Sequence, residues 1–352
     1  MPIGIAIVGV GWIAETVYLP YISRRPELRL RGVFDSDSNR ARAIADGFAA
    51  KTCSSIYDVV SDANVGLVII CAPNEMHTAY VDIVVRAGKV VVCEKPMCIT
   101  LQEVNLWEEL LPNFGGQIFF SLPSRFREDV RALGRMIEQG SLGSVYKVNA
   151  RWIRRNGIPQ SGWFINKRQS GGGALLDLGS HLMDVVYDML QYPVVLNHCS
   201  ATSSMFIAEP NRRAQWHGDA ANIPDGDVED NGSLFVKFDG CAAHVEVGWA
   251  ANTRHDVTSI EVFGNEGYAY LDTLFGFSTN TPLSSSKLMV ANRDGEIREF
   301  KFPTCHLRRA PDFVGRTPHG RGDRMVSMDP CGTACVAHPR DVANPHSTAI
   351  SR

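Results

Sequence analysis

The sequence lacks the features that mark membrane-spanning, secreted and nucleic-acid-binding proteins. No apolar run approaches the ~20 residues that a spanning helix needs. The N-terminus enters an apolar segment without a charged leader or a small-residue cleavage site, so we expect no signal peptide. A formal net charge of −3 offers no general basic field to nucleic acid or to an anionic membrane. We therefore expect a soluble, cytoplasmic protein with neither kind of partner.

Length and cysteine content bound the fold further. The chain has 352 residues, which is more than one ordinary core holds, so the sequence predicts two domains. Several of the nine cysteines lie in strand-like apolar runs, as is typical of reduced thiols in a cytoplasmic protein. The predicted divisions are a first domain over residues 1–122, a second domain over 123–302 and an atypical segment over 303–352.

The first domain opens with the pattern of a dinucleotide-binding turn. The apolar run at 3–8 is typical of a parallel strand buried on both faces, and it leads into Gly9-x-Gly11-x-x-Ala14. Gly9 permits the tight turn, Gly11 lets the backbone approach a pyrophosphate, and Ala14 lets the next helix pack on the strand. The N-terminus of that helix offers N–H groups to the phosphates. The predicted cofactor contacts in this turn are Gly9, Gly11, Trp12, Ile13 and Ala14.

An acidic residue after the second strand bears on the choice of cofactor. The predicted strand at 28–34 ends in Asp35, which lies 26 residues after Gly9. A carboxylate near this spacing accepts from the ribose 2′-hydroxyl and repels a 2′-phosphate, which favours NAD over NADP. Arg40 keeps NADP open, because its side chain can reach a phosphate. A glycine turn without a ligand is the alternative, but strand, turn, helix, strand and acid follow in order.

Strands continue to alternate with helices, which predicts a doubly wound parallel sheet. Buried strands are predicted at 65–71 and 90–93, with helices at 38–50 and 77–87. Since ligands bind outside the carboxyl ends of such strands, the residues that follow each strand should line one crevice with the glycine turn. The further predicted cofactor contacts are Ala72, Pro73, Asn74, His77, Glu94 and Lys95.

A second constellation of functional residues lies in a predicted helix at 174–190, which follows three glycines. Asp177 and His181 are four residues apart and therefore share one face of this helix. A carboxylate there can orient the imidazole, which titrates near neutrality and suits removal of a hydroxyl proton. A surface pair or a helix cap is the alternative. A metal site formed with Asp184 is disfavoured because zinc normally takes three or four ligands in a defined geometry and no thiolate lies nearby, so no metal is predicted.

These motifs together resemble the Gfo/Idh/MocA oxidoreductases. The resemblance covers roughly residues 3–302 and rests on the glycine turn, APNEMH at 72–77, EKP at 94–96 and GGGALLDLGSH at 171–181. It implies a Rossmann domain, then an α/β domain with a large, mostly antiparallel, open-faced sheet. It also implies Lys95, Asp177 and His181 as the catalytic set. Whether Lys95 or His181 is the immediate base is left open.

The sequence of the second domain predicts mainly β-structure. Asp239-Gly240, between two alternating apolar runs, is a strong hairpin signal. The family resemblance implies that the open face of the sheet forms a homodimer or homotetramer, and exposed apolar residues such as Trp249 would fit such a face. The predicted strands are 144–154, 194–207, 232–238, 242–249, 258–263, 267–271, 287–291 and 297–302.

Substrate contacts are sought among polar and aromatic residues. Arg125, Arg154 and Trp163 are predicted to bind substrate with Lys95, Asp177 and His181. The tandem arginines at 154–155 could instead face water as alternating strand residues. The segment 152–159 resembles a subset of the family linked to amino-sugar and aminocyclitol antibiotic pathways.

The final segment departs from the family pattern. Residues 303–352 contain six prolines and seven arginines but no lysine or glutamate, and no stretch is periodic, which predicts disorder. The spacing Cys331-x3-Cys335-x2-His338 fits no standard zinc site. This composition also resembles out-of-frame reading of a GC-rich gene.

The leading hypothesis is an NAD-dependent dehydrogenase that exchanges a hydride with a secondary alcohol or ketone of a cyclitol or sugar. One alternative is a redox-neutral sugar-modifying enzyme with tightly bound NAD. Another is a non-enzymatic dinucleotide-binding protein, because fold alone does not guarantee chemistry. The small-molecule substrate itself is not identified by the sequence.

Overall fold

The computed structural model describes residues 2–214, 225–278 and 280–303, and the backbone of two short antiparallel strands, Met325–Met328 and Ala334–Ala337. Of residues 2–303, those up to Ser121 form one compact unit and those from Leu122 onward form another. The predictions of disorder and altered reading frame over 303–352 otherwise lie outside the described residues and stay predictions. Among the residues described, no helix is long and apolar enough to cross a membrane.

The first unit contains a six-stranded, fully parallel sheet in the order β3-β2-β1-β4-β5-β6. This order is that of a dinucleotide-binding doubly wound fold, which confirms the predicted fold class. The interior of the first strand is entirely buried, which explains why it reads as a continuous apolar run. The strands are β1 Ile3–Val8, β2 Leu28–Phe34, β3 Lys51–Thr52, β4 Leu67–Ile70, β5 Val90–Glu94 and β6 Ile118–Ser121.

Helices cover the sheet of the first unit. The helix after the glycine turn contains a π-helical segment, Ala14–Tyr18, that runs into the first α-helix. Side-chain caps begin several helices; the Asp37 carboxylate, for example, accepts from the N–H groups of Asn39 and Arg40. The helices are α1 Leu19–Ser23, α2 Ser38–Gly47, α3 Ile56–Ser61, α4 His77–Arg86 and α5 Leu101–Phe114.

The second unit contains an eight-stranded sheet in the order β14-β13-β12-β11-β7-β10-β9-β8. Every neighbouring pair is antiparallel except β7 and β10 at the centre, so the predicted mostly antiparallel sheet is confirmed. The strands are β7 Val145–Ile153, β8 Val195–Ser203, β9 Asn231–Phe238, β10 Ala242–Gly248, β11 Val257–Gly264, β12 Gly267–Thr273, β13 Ser285–Asn292 and β14 Ile297–Pro303.

One long helix covers the inner face of this second sheet. The helices of the unit are α6 Glu128–Glu138, α7 Lys167–Ser170 and α8 Ala174–Met189. Apolar residues of α8 such as Leu178 and Leu182 are buried in one core with Val245 and Val247 of β10. The expectation that Trp249 is exposed on the open face is wrong. Its side chain is completely buried, because it follows β10 into the core beside α8.

Candidate active site

The glycine turn has the shape that a dinucleotide requires. Gly9 has a φ of +85°, and a Cβ there would lie 2.6 Å from the backbone nitrogen of Ala72. Only glycine meets both conditions, because L side chains rarely adopt such a φ. A Cβ on Gly11 would meet nothing within 4 Å, so space is open beside the turn. The turn therefore fits the pyrophosphate of a nicotinamide dinucleotide.

Asp35 is held where the second strand ends. Its Oδ2 accepts from the N–H of Val10 at 2.7 Å, and its Oδ1 accepts from the N–H of Asp37 at 2.8 Å. The carboxylate therefore joins the glycine turn to the start of α2. Each carboxylate oxygen has a second lone pair, which leaves capacity for a ribose hydroxyl. The side chain of Arg40 is exposed on α2.

Glu94, the first residue of the EKP triplet, is connected to the helix after the glycine turn. Its Oε1 accepts from the hydroxyl of Tyr18, in the π-helical segment, at 2.7 Å. Burial raises the pKa of Glu94, because a buried carboxylate loses its hydration. This hydrogen bond thus connects the end of β5, where Lys95 begins the next turn, to the helix after the glycine turn. The Lys95–Pro96 peptide bond is cis.

His77 joins two of the turns at the carboxyl ends of the strands. Its ring is almost completely buried. Nδ1 lies 3.0 Å from the carbonyl oxygen of Pro96, and Nε2 lies 2.9 Å from that of Ala72. Burial lowers the pKa of His77, whereas the two carbonyl contacts act in the opposite direction. The described contacts of this predicted cofactor residue are therefore with the turns themselves.

In the second unit, Glu229 caps the helix that carries Asp177 and His181. Its Oε1 accepts from the N–H groups of Gly173 and Leu175 at 2.9 and 3.1 Å, and its carbonyl accepts from Ala174 at 2.9 Å. The carboxylate also faces the positive end of the helix dipole. A Cβ on Gly173 would lie 1.8 Å from the Glu229 carbonyl oxygen. The close approach explains a glycine at this position, and sequence reasoning missed Glu229.

Asp177 is oriented by a tryptophan. The indole Nε1 of Trp249 donates to Asp177 Oδ2 at 2.8 Å, and a hydrogen bond to a carboxylate is stronger than one between neutral groups. The ring of Trp152 lies 5.8 Å from that of His181. The acid and the imidazole of α8 thus lie among aromatic side chains, a lining that is typical of small-molecule sites. Sequence reasoning gave Trp249 a different role.

The predicted substrate arginines differ in their surroundings. Arg154 is buried, with its guanidinium 4.9 Å from the centroid of the Trp152 ring. Burial lowers the pKa of Arg154, while the charges of Asp177 and Asp256 oppose this shift. The alternative that the tandem arginines face water is therefore wrong for Arg154, although Arg155 is exposed.

Arg125 is engaged by the second half of α8. Its Nε donates to Asp184 Oδ2 at 2.7 Å, and its Nη1 donates to the hydroxyl of Tyr192 at 2.8 Å. Asp184, which the sequence analysis considered for a metal site, is therefore hydrogen-bonded to Arg125.

Trp163 is another predicted substrate residue. The centroid of its ring lies 4.7 Å from that of Phe164, and Phe164 packs edge-on against Trp249. Trp163 thus belongs to the aromatic surroundings of Trp249, whereas Arg125 supports α8.

The strand order and the glycine turn of the first unit define a dinucleotide-binding protein. The model of an oxidoreductase family with an NAD-binding Rossmann fold matches residues 3–118, and the model of the GFO/IDH/MocA C-terminal domain matches 130–270. The chain belongs to the Gfo/Idh/MocA family, which confirms the resemblance. The protein is an NAD(P)-dependent oxidoreductase.

Two relatives match most of the chain. A protein of Amycolatopsis mediterranei (strain S699), with the provisional name UDP-kanosamine synthase oxidoreductase subunit, is 31% identical over 86% of this chain and 84% of its own length. The D-glucoside 3-dehydrogenase of Escherichia coli (strain K12) is 31% identical over 93% of this chain and 90% of its own length.

Solved structures share the fold. Levoglucosan dehydrogenase, in complex with NADH and levoglucosan, superposes with a TM-score of 0.68 at 20% identity, over 86% of this chain and 80% of the other. GenD2 from gentamicin A biosynthesis, in complex with NAD, superposes with a TM-score of 0.66 at 23% identity, over 80% of this chain and 76% of the other. At this level of identity the likeness shows the fold alone.

Proposed function

We propose that this protein oxidises a secondary alcohol of a sugar or cyclitol, or reduces the corresponding ketone. The observation that carries the proposal is the Asp–His pair of α8, with Asp177 anchored by Trp249 and His181 beside Trp152. The printed name of the Escherichia coli relative supports a glucoside, and position 3 of the ring, as the first candidate. The name of the Amycolatopsis relative supports a UDP-linked sugar.

The proposed mechanism assigns proton handling to three side chains. The cofactor, when bound, supplies hydride acceptance and donation at its nicotinamide. His181 takes the hydroxyl proton, since an imidazole titrates near neutrality. Asp177 orients the reacting hydroxyl or the imidazole. Lys95 donates a hydrogen bond to the substrate oxygen and stabilises its developing negative charge. The turn at Gly9 and Gly11 and the carboxylate of Asp35 hold the dinucleotide.

NAD is proposed as the preferred cofactor. The carboxylate of Asp35 lies at the end of β2 and is fixed by two backbone N–H groups, and a negative charge there repels a 2′-phosphate. Asp35→Asn keeps an acceptor for Val10 and removes the charge. The variant should narrow the ratio of kcat/KM between NAD and NADP by about tenfold, which corresponds to ~1.4 kcal/mol. An unchanged ratio would show that Asp35 does not discriminate.

The test of the function is the ultraviolet absorbance of the reduced nicotinamide, with alkyl glucosides, UDP-glucose, amino sugars and inositols supplied in turn. Turnover of one class, lost in His181→Asn and in Lys95→Met while NADH still binds, supports the proposal. NADH binding without turnover of any class contradicts it. A preference for amino sugars or aminocyclitols would support a role in antibiotic biosynthesis. NAD retained through purification would instead favour the redox-neutral alternative.

A further inference from the structure

His77 is a buried polar residue with no assigned part in the proposed chemistry. It begins α4, and its side chain is 1% exposed. Its two ring nitrogens lie 3.0 Å from the carbonyl oxygen of Pro96 and 2.9 Å from that of Ala72. Both distances are in the range of hydrogen bonds; because a carbonyl oxygen only accepts, the neutral ring donates to one of the two carbonyls and the imidazolium donates to both. One rigid ring therefore spans two loops that follow different strands, β4 and β5.

These two loops are the ones that bear on the reaction. Pro96 follows directly after Lys95, and Ala72 precedes Pro73 and Asn74. An imidazole has its nitrogens on different edges of a rigid plane, so it can contact two carbonyls at a set separation. No aliphatic side chain can do this, because it has no polar atom to offer either carbonyl.

We propose that His77 is a positioning residue, which holds the turn of Lys95 and Pro96 against the turn of Ala72 and so fixes the place of Lys95. The inference rests on the proposed function in so far as that function gives Lys95 its role. A misplacement of about 1 Å at a reacting group can cost on the order of 10²-fold in rate. Loss of the bridge should therefore lower kcat more than it changes the KM of the alcohol.

The test compares full-length His77→Leu, His77→Gln and Val81→Ala. Leucine has no polar atom for either carbonyl, whereas the glutamine amide can bond one of them. Val81 is buried in the same helix but contacts neither turn through a polar atom, so Val81→Ala controls for lost packing. The expected kcat is ten- to a hundredfold below wild type in His77→Leu, intermediate in His77→Gln, and within about twofold of wild type in Val81→Ala.

A second measurement needs no substrate. The lysines are reductively methylated with ¹³C, and the signal of Lys95 is assigned with Lys95→Arg. A displaced Lys95 signal in His77→Leu, but not in Val81→Ala, supports the inference even if no tested alcohol turns over. An unmoved signal in a folded His77→Leu would overturn it, and so would a similar loss of kcat in both variants. Absence of wild-type turnover contradicts the proposed function alone.

Discussion

At the scale of single residues, burial destabilises the ionised form of Glu94, which lies directly before Lys95 at the end of β5. The carboxyl group lies deep beside Tyr18 and Ser121, and burial raises its pKa. The hydrogen bond from Tyr18 and the charge of Lys95 offset part of this shift. The buried carboxyl group nevertheless connects the helix after the glycine turn, through Tyr18, to the end of β5, directly before Lys95.

The difference in stability between Glu94→Gln and wild type should therefore depend on pH. Because the folded-state pKa of Glu94 lies above its ordinary value of 4.5, the folded protein binds the extra proton between the two values. Its free energy of unfolding then falls as pH rises through that window. The glutamine amide keeps an acceptor for Tyr18 and carries no charge. The free energy of unfolding of the variant should therefore increase relative to that of wild type as pH rises through this window.

Guanidinium unfolding at a series of pH values from about 4 to about 8 measures this gain. Glu108→Gln, at an exposed position of α5, is the control and should show no such change with pH. A difference between Glu94→Gln and wild type that is constant with pH would contradict the assigned burial effect.

Sequence reasoning found the residues whose contacts are local and missed those whose partners are distant. Gly9 and Asp35 follow from the spacing of one strand–turn–helix–strand unit. Trp249 and its bond to Asp177 span 72 positions, and the bond from Gly173 to Glu229 spans 56. No periodicity in the sequence specifies such pairs, because they depend on how the helix packs on the sheet.

At the scale of elements, α8 was the most predictable part of the site. Its apolar residues recur with a helical period, so the predicted range of 174–190 is close to the observed Ala174–Met189. The predicted strand at 194–207 was too long, since β8 ends at Ser203. The chain turns away there because the buried carboxylate of Asp230 accepts from the N–H groups of Met205 and Phe206. That carboxylate cannot be located from the sequence pattern of the strand.

The start of α8 gives a prediction at the same scale. Gly173→Ala places a Cβ 1.8 Å from the carbonyl oxygen of Glu229, so the helix start must move and weaken its bonds to that residue. We expect a loss of about 2–3 kcal/mol in the free energy of unfolding, together with a lower kcat because Asp177 and His181 move with the helix. Denaturant unfolding and steady-state kinetics measure the two effects.

Gly134→Ala is the matched control for a glycine in a helix. A Cβ on Gly134, within α6, would meet nothing within 4 Å, so alanine should stabilise by about 0.5–1 kcal/mol through its helix propensity. Equal responses of Gly173→Ala and Gly134→Ala would show that Glu229 does not restrict the start of α8.

At the scale of the whole molecule, sequence reasoning predicted both sheet types but not the order of strands in the second. Alternating apolar residues mark each strand, whereas the order depends on contacts between strands far apart in the sequence. The sequence of neither strand alone indicates the parallel pairing of β7 with β10 inside that sheet. The oligomer that the family resemblance implies belongs to this scale, and it stays a prediction.

We propose that the outer face of the second sheet forms a homodimer or homotetramer. Helices cover one face of an open sheet, and the other face then needs solvent or a partner. Phe235 is 52% exposed on β9 and stacks on His244 at 4.2 Å between ring centroids, so a large aromatic surface faces outward there.

Phe235→Glu tests this interface, because it places a charge within it. Light scattering after size exclusion should show a smaller species at micromolar concentration, and the affinity for NADH should be unchanged. Tyr57→Glu, at an exposed aromatic of α3 in the first unit, should leave the assembly intact. A monomeric wild type, or equal dissociation of both variants, would contradict this use of the sheet.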